Sequence, residues 1–255
     1  MINELTTLSP AFIIIIGAIL IPFLRQPIRN LWVLLLIAIS FYMIHQLEVG
    51  QVISIPFLDF NLVTTRVDKL SKAFGYIFTL NAFIVFIYGY YQKKSLEITS
   101  SLLYIGSAIG VIFAGDLLTL YFFWEAMAIM STFLILENKK KRSFEAAKRY
   151  VLVHIIGGLV LLVGIIFIYF ETESLAFSAM SNTSSLGAWL VLIGFLVNVG
   201  AVPFSSWLSD AYPEATIVGG VILSAYTTKT AVYTLLRGFA GWDILIILGC
   251  IMGIY

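Results

Sequence analysis

The stretch Leu117–Leu136, "LLTLYFFWEAMAIMSTFLIL", has the length and apolar character of a helix that crosses a lipid bilayer. Its only charged side chain is Glu125, which lies close to the midpoint. Insertion scales place the cost of an Asp or Lys at the centre of such a helix at about 2.5–3.5 kcal/mol, and Glu is expected to be comparable. The stretch therefore predicts a membrane protein with a structural or functional reason to hold a carboxyl inside the membrane.

Composition supports a membrane protein throughout. Of 255 residues, 60% are hydrophobic and 11% are charged, whereas a soluble domain has about 25% charged residues. The net charge of +1 excludes a basic nucleic-acid surface as the organising feature. Cys250 is the single cysteine, which excludes an intrachain disulfide and a cysteine-based metal site. We expect neither a bound metal nor a cofactor. The first apolar run has no basic leader or small-residue cleavage site, so we interpret it as a retained span.

Charge-free apolar runs predict an all-α polytopic fold, with residues 1–255 as a single membrane domain. The predicted spans are Leu8–Leu24, Asn30–Leu47, Ala73–Gln92, Ile98–Gly115, Asp116–Leu136, Tyr150–Phe170, 188–204, Ala215–Arg237 and a ninth from Ile244. The ninth run has about 12 apolar residues where a span needs about 20, which predicts that the chain ends in mid-span. Alternation within residues 52–71 favours a short hairpin outside the membrane.

Lysine and arginine predict the orientation. If the N-terminus lies outside, the inner loops hold ten of these residues and the outer loops four, and Lys229 within a helix completes the 15. We interpret the basic loop 138–149, "NKKKRSFEAAKR", as a topology signal. The sequence thus predicts an integral protein of a bacterial cell membrane with its N-terminus outside.

Ionisable side chains lie inside the predicted spans, away from their first and last residues, at Glu125, His154 and Lys229. Glu125 and Lys229 are either a structural ion pair between helices or groups that handle protons or cations, because a carboxyl or amine removed from water can exchange protons near neutral pH. His154 lies about one turn inside the sixth span. It is suited to a proton relay or to a hydrogen-bonded packing role, and the residues alone leave both interpretations open.

The seventh span is predicted to break within residues 198–216, "NVGAVPFSSWLSDAYPEAT". Pro203 lacks a backbone donor and clashes with the preceding turn. Broken helices occur at membrane depth where they are buried in protein or line a wet cavity, and transporters build ion sites from them. The alternative is a kink that serves packing alone. Asp210 and Glu214 are expected near the inner end of the break. Four hydroxyl groups are suited either to a chain of water molecules or to contacts between helices: those of Ser205, Ser206, Thr227 and Thr228.

Four motifs occur in a characteristic order: "RVDKLS", "GDLLTLYFFWEAMAIMSTFLI", "GFLVNVGAVPFSSWLSDAYPEAT" and "SAYTTKTAVYTLLRGF". Together they resemble the antiporter-like family shared by Mrp-type cation/proton antiporters and the proton-pumping membrane subunits of respiratory complex I. The run from Asp210 to Tyr233 is most similar to Mrp proteins described as D-like. The resemblance covers nearly the whole chain.

The resemblance implies a fold of about 14 helices with two inverted five-helix repeats, each containing a broken helix. Residues 1–97 would hold helices one to three, 98–237 the first repeat, and 244–255 the start of helix nine. The chain would then be a fragment or the first half of a split gene. The family's carboxylate in span five matches Glu125, and its lysine in span eight matches Lys229.

Two departures from the family pattern concern the broken helix. Asn198 occupies the position where relatives usually have a lysine. Relatives often have a "HxWLPD" turn. Here Ser205 stands at the position of its His and Ser209 at the position of its Pro, around Trp207 and before Asp210. Because Asn cannot be protonated, Lys229 or His154 would have to take the part of that lysine, or proton transfer in this half would be weakened.

The resemblance implies an ion-translocating subunit, with proton or cation/proton antiport, in a multisubunit Mrp-type assembly. Its partners would be other membrane subunits, the lipid bilayer, protons and sodium ions, with no nucleic acid. A proton-pumping subunit of complex I or of a related membrane hydrogenase is the alternative with the same fold. A non-conducting scaffold also stays open. A membrane-embedded transferase is disfavoured, because the loops lack the acidic or histidine clusters that it would need.

Overall fold

The computed structural model describes residues 8–254, and these form a helical bundle with one β-hairpin. The helices are α1 (Pro10–Ala18), α2 (Ile28–Gln46), α3 (Lys69–Tyr88), α4 (Ser95–Phe113), α5 (Leu117–Leu136), α6 (Lys141–Thr172), α7 (Leu186–Val199), α8 (Ile217–Gly238) and α9 (Asp243–Ile254). A short helix, Ser206–Ala211, lies between α7 and α8. Within the described residues, α2 to α6 are long and apolar enough to cross a membrane, which confirms the all-α polytopic fold.

The hairpin predicted between the second and third spans is confirmed. Its strands, β1 (Val52–Phe57) and β2 (Phe60–Arg66), pair antiparallel. Directly after it, Asp68 caps α3. The Asp68 carboxylate accepts the Ser71 N–H at 2.8 Å, and the Ser71 hydroxyl accepts the Asp68 N–H at 2.9 Å. This reciprocal capping box satisfies backbone donors that a helix start would otherwise leave free, so α3 begins four residues before the apolar run that predicted it.

Two further predicted helix boundaries were wrong for identifiable reasons. Helix α1 ends at Ala18 instead of Leu24, because Pro22 has no N–H to give to the Ala18 carbonyl. Helix α6 begins at Lys141 instead of Tyr150. Lys and Arg are good helix formers, no Gly or Pro interrupts residues 141–149, and Lys148 pairs with Glu145 at 3.3 Å. The basic loop is therefore mostly helix.

The seventh span breaks earlier than Pro203. Helix α7 ends at Val199, and Gly200 adopts a left-handed conformation with φ +73°, which glycine tolerates without steric strain. Pro203 lies in the exposed link that follows, before the short helix Ser206–Ala211. The predicted break is thus confirmed, but Gly200 ends the helix.

Helix α4 lies at the centre of the bundle. Of its most apolar window, 83% is buried, and it packs against α1, α3, α5 and α8. By contrast, α2, α3 and α6 expose large apolar side chains such as Leu31, Ile84 and Leu159. These outer faces are suited to lipid, whereas α4 has protein on all sides.

Glycines bring α6 and α7 into close contact. A Cβ on Gly164 would lie 2.7 Å from the Val191 backbone nitrogen, and one on Gly194 would lie 2.8 Å from the Leu161 Cβ. Gly187 similarly faces the Ile168 backbone at 2.8 Å. Small residues let membrane helices approach closely. This seam fixes α6 against the helix that precedes the break.

One end of the bundle, which we call the basic end, is defined by Arg29, Lys94, Lys139, Arg142 and Arg149. Polar contacts hold this end together. Arg29 donates to the Gln92 carbonyl at 3.2 Å, and Lys94 and Lys139 pair with Glu137 at 3.7 and 3.8 Å. The opposite end carries the hairpin. The division of the chain into 1–97, 98–237 and 244–255 stays a prediction.

Candidate functional site

Glu125 lies on α5 with its carboxyl directed at α6. A Cβ on Gly158 would lie only 2.0 Å from Glu125 Oε1, so the absence of a side chain at Gly158 makes room for the carboxyl. The side chain is half-buried, and Oε1 has no hydrogen-bond partner among the described residues. Buried polar atoms are normally satisfied by protein or by ordered water. The position is therefore suited to a carboxyl that exchanges protons with water molecules.

His154 lies one turn before Gly158 on the same helix and is buried. Its Nδ1 lies 2.9 Å from the Tyr150 carbonyl oxygen. Because a carbonyl only accepts hydrogen bonds, Nδ1 carries the proton in the neutral ring and Nε2 is left as the acceptor. Nε2 has no partner among the described residues. The ring stacks on Tyr150 at 4.0 Å and meets the Trp207 ring at 4.8 Å.

The other side of this turn of α6 faces α7. A Cβ on Gly157 would lie 3.0 Å from Val197 Cγ1, and the neighbouring Asn198 is buried. Its Oδ1 also has no hydrogen-bond partner among residues 8–254. Residues 154–158 of α6 thus lie between Glu125 on one side and Val197, the neighbour of Asn198, on the other. Glu125, His154 and Asn198 each have a polar atom without a partner among the described residues. This convergence is typical of a hydrated interior.

Trp207 fixes the broken segment against the same region. Its indole Nε1 donates to the Val197 carbonyl at 2.9 Å, which satisfies an acceptor near the end of α7. Since the same indole meets the His154 ring, the break in the seventh helix is packed directly on the histidine. Ser205 is half-buried at the start of the short helix, and its carbonyl accepts the Leu208 N–H at 3.1 Å.

Ion pairs attach the far end of the broken segment to the basic end. Arg149 donates to both Asp210 carboxylate oxygens, at 2.6 and 2.7 Å. Arg142 pairs with Glu214 at 3.2 Å. The bound Arg149 guanidinium lowers the pKa of Asp210. The contacts indicate that Asp210 serves as an anchor at the basic end of the bundle. The location of Asp210 and Glu214 on the inner side of the membrane stays a prediction.

Lys229 does not face Glu125. Its side chain is exposed on α8, and Nζ donates to the Ser224 carbonyl at 2.7 Å and to Thr228 Oγ1 at 3.2 Å. No ion pair joins it to Glu125 among the described residues. A charged group in a membrane helix faces protein or a water-filled cavity in almost all cases. We therefore expect this face of α8 to be covered by protein or water in the assembled molecule.

Sequence reasoning missed the aromatic hydroxyls around Thr227. Tyr104 of α4 forms a 2.5 Å hydrogen bond with Thr227 Oγ1, and its oxygen accepts the Thr227 N–H at 2.8 Å. The hydroxyls of Tyr150 and Tyr212 approach the same threonine. In an apolar run a tyrosine is indistinguishable from a packing residue, so no sequence signal marked Tyr104 or Tyr150.

Comparison with known proteins decides the family. The model of the NADH:quinone oxidoreductase/Mrp antiporter transmembrane family matches residues 114–251. The chain belongs to this family. A Na⁺/H⁺ antiporter subunit of Alkalihalophilus pseudofirmus is 28% identical across 91% of this chain and 32% of its own length. An NADH-quinone oxidoreductase subunit of Pseudomonas aeruginosa is 36% identical across 52% of this chain and 30% of its own length. The chain therefore spans about a third of the length of these relatives.

A solved structure supports the same fold. A chain of the Mrp complex from Dietzia sp. superposes with a TM-score of 0.77 at 20% identity, covering 93% of this chain and 48% of that one. The resemblance to Mrp and complex I subunits inferred from the motifs is thus confirmed. The region matched by the antiporter family model includes Glu125, His154, Asn198 and Lys229, whose roles stay predictions. The finer resemblance to D-like Mrp proteins also stays a prediction.

Proposed function

We propose that this chain is part of an ion-translocating subunit of a multisubunit Mrp-type antiporter in a bacterial cell membrane. Support comes from the family match and from relatives that are named as Na⁺/H⁺ antiporter subunits. The excess of Lys and Arg at the basic end supports an N-terminus on the outer side. The translocated ion would be the proton, exchanged for a cation such as sodium elsewhere in the assembly.

The observation that carries the proposal is the pocket-like space that Gly158 leaves for the Glu125 carboxyl. A bundle that needed only packing would fill this position with an apolar side chain at lower energetic cost. Glu125 instead has an unpaired oxygen. This oxygen faces α6 one turn from His154, whose acceptor nitrogen is also unpaired. A proton on the carboxyl can therefore pass to the imidazole through a short water chain.

Lys229 and Asn198 have different parts in this mechanism. Lys229 would carry the charge onward, because its ammonium lies on the face of α8 that the described residues leave open. Asn198 cannot take a proton, so its buried amide would orient water between α7 and α6. A change of charge at one site then alters the proton affinity of the next, because charges interact strongly where water is excluded.

Transport by reconstituted assemblies tests the proposal. Glu125→Gln keeps the size and hydrogen-bonding oxygen of the side chain but cannot be deprotonated, and Lys229→Ala removes the ammonium. Each variant is expected to lose most ion-driven ΔpH formation and sodium efflux while the assembly stays intact. Lys148→Ala, which removes an exposed partner of Glu145 at the start of α6, is the matched control and should transport normally. Normal transport by both Glu125→Gln and Lys229→Ala in intact assemblies would refute the proposal and favour a scaffold.

A redox-driven proton pump is the second candidate, because a relative 36% identical over half of the chain is an NADH-quinone oxidoreductase subunit. The same carboxyl and imidazole chemistry would serve it, since the electron transfer would take place in other subunits. Purification of the native assembly distinguishes the two. Quinone reduction coupled to ΔpH would favour the pump, and ΔpH formation driven by a sodium gradient without any reductant would favour the antiporter.

A further inference from the structure

Helix α4 has a buried polar face, although it lies at the centre of an apolar bundle. The residues on this face are Glu97, Ser100, Ser101, Tyr104 and Ser107, and all are buried. Their spacing of three and four residues places them along one side of the helix. Ser101 and Ser107 donate to carbonyls of their own helix at 2.7 and 2.8 Å. Glu97 and Tyr104 instead form hydrogen bonds outside α4, and burial of such groups is costly unless they are bonded.

Glu97 lies at the basic end of the stripe and is only 1% exposed. Its carboxylate accepts the Gln92 Nε2–H at 2.7 Å and the hydroxyl of Thr216, the residue that caps α8. The nearby Lys94 pairs with Glu137 instead, and no cation pairs with Glu97 among the described residues. Within the described part of the chain, the Glu97 carboxyl is therefore held by neutral donors alone.

The other end of the stripe reaches the middle of the bundle. There Tyr104 is bonded to Thr227, whose hydroxyl Tyr150 and Tyr212 also approach. Tyr150 continues the chain of hydroxyls to Ser131 of α5 at 2.8 Å, and its ring stacks on His154. The Tyr104 end of the stripe therefore lies beside the helices that carry Glu125 and His154.

A proton that moves along the stripe must cross the interval between Glu97 and Tyr104. Glu97 and Tyr104 are seven residues apart, which corresponds to about 10 Å of helix. Their partners at α8, its cap Thr216 for Glu97 and Thr227 for Tyr104, are eleven residues apart, which corresponds to about 16 Å of helix. Two serines of the stripe lie on the same face between Glu97 and Tyr104. A chain of several water molecules beside these serines would complete the hydrogen-bonded path.

We propose that Glu97, Tyr104 and Thr227 form a proton path along α4 from the basic end of the bundle to the Glu125–His154 region. Glu97 binds a proton from the aqueous side and releases it into the stripe. Each hydroxyl then accepts one proton and passes on its own, so only O–H bonds form and break and no charge is left behind. The proposal rests on the ion-translocating function proposed above and adds the route by which protons reach its centre.

Four variants test the path in reconstituted assemblies. Glu97→Gln retains an acceptor for Thr216 but cannot release a proton, Glu97→Asp retains the acid, and Tyr104→Phe and Thr227→Val each remove one hydroxyl. We expect proton transport to fall about tenfold or more in the Gln, Phe and Val variants, since loss of a positioned proton-transfer group is a large effect. Glu97→Asp should recover a substantial part of the rate, which a purely structural role for Glu97 would not predict.

Tyr226→Phe is the matched control. Tyr226 is also fully buried on α8 and its ring lies 5.8 Å from that of Tyr104, but its hydroxyl donates to the Phe78 carbonyl at 2.9 Å and not to a group of the stripe. Transport by Glu97→Gln and Tyr104→Phe at the rate of Tyr226→Phe would overturn the proposal, as would a Glu97→Asp variant as slow as Glu97→Gln. Glu125→Gln, measured in parallel, distinguishes failure of the proposed path from failure of the proposed function. Slow transport by Glu125→Gln with normal transport by the stripe variants refutes the path alone, whereas normal transport by Glu125→Gln refutes the proposed function.

Discussion

At the scale of the residue, Gly158 determines where the Glu125 carboxyl can lie. Gly158→Ala would place a methyl group 2.0 Å from the present position of Oε1. The clashing atom is the end of a flexible side chain, so the carboxyl can rotate away while the helices stay in place. We therefore expect ion transport to fall about tenfold, because a misplaced proton-transfer group is inefficient, while the thermal unfolding temperature changes little. Transport assays and fluorescence-detected unfolding in detergent measure the two effects.

Gly253→Ala is the control for this substitution. Gly253 is also helical, and a Cβ there meets no atom within 4 Å. It should change neither transport nor stability. A Gly158→Ala variant that transports as well as Gly253→Ala would show that the position of the Glu125 carboxyl is unimportant.

Some of these residues could be predicted from the sequence and others could not. Glu125 and Lys229 could be recognised because a charge within an apolar run has no ordinary packing role. Gly158 could not be recognised, because it matters only through Glu125 of another helix, whose carboxyl oxygen occupies the space that a side chain at this position would fill. Tyr104 and Glu97 were not identified from the sequence for a related reason. Glu97 precedes the apolar run that predicted the fourth span, and only the extension of α4 to Ser95 places it inside the bundle.

At the scale of the element, the seam between α6 and α7 depends on backbone contact. A Cβ on Gly164 would lie 2.7 Å from the Val191 nitrogen and 2.9 Å from the Leu190 Cβ. Since a backbone atom cannot rotate away, Gly164→Ala must push the helices apart. Overpacking costs about 1–3 kcal/mol, and the better helix propensity of Ala returns about 1 kcal/mol at most. We expect a lower unfolding temperature and weaker transport together.

Gly249→Ala, in α9 and with open space around its Cβ position, should leave the unfolding temperature unchanged or slightly raise it. Equal stability of the Gly164 and Gly249 variants would mean that α6 and α7 separate without penalty. Charge-free apolar runs predicted both helices, but they located neither this seam nor the end of α7. Those depend on glycine conformation and on which faces meet, which a single sequence does not specify.

At the scale of the whole molecule, an ion pair ties the N-terminal part of the chain to the end of α8. Arg237 Nη2 lies 2.6 Å from Asp68 Oδ2, and Arg237 Nε donates to the Tyr233 hydroxyl at 2.8 Å. The Arg237 side chain is only 7% exposed. Two motifs far apart in the sequence, "RVDKLS" and "LLRGF", are thus in contact, which pattern alone could not predict. The pair connects the helices before α4 with the helix that carries Thr227 and Lys229.

The Asp68–Arg237 pair should make stability depend on pH. Burial opposes ionisation of Asp68, but the Ser71 N–H and the Arg237 guanidinium outweigh it and lower its pKa. A carboxyl whose pKa is lower in the folded state contributes stability above its unfolded value of about 3.9 and loses it as pH falls through the folded value. Asp68→Asn keeps the helix cap but loses the charge, so we expect about 1–2 kcal/mol lower stability at pH 7, between values for exposed and buried pairs. The difference between the two proteins should shrink below pH 4 in unfolding measurements, because a protonated Asp68 and the asparagine that replaces it are both neutral. A difference that persists undiminished at low pH would show that the charge of Asp68 does not stabilise the fold.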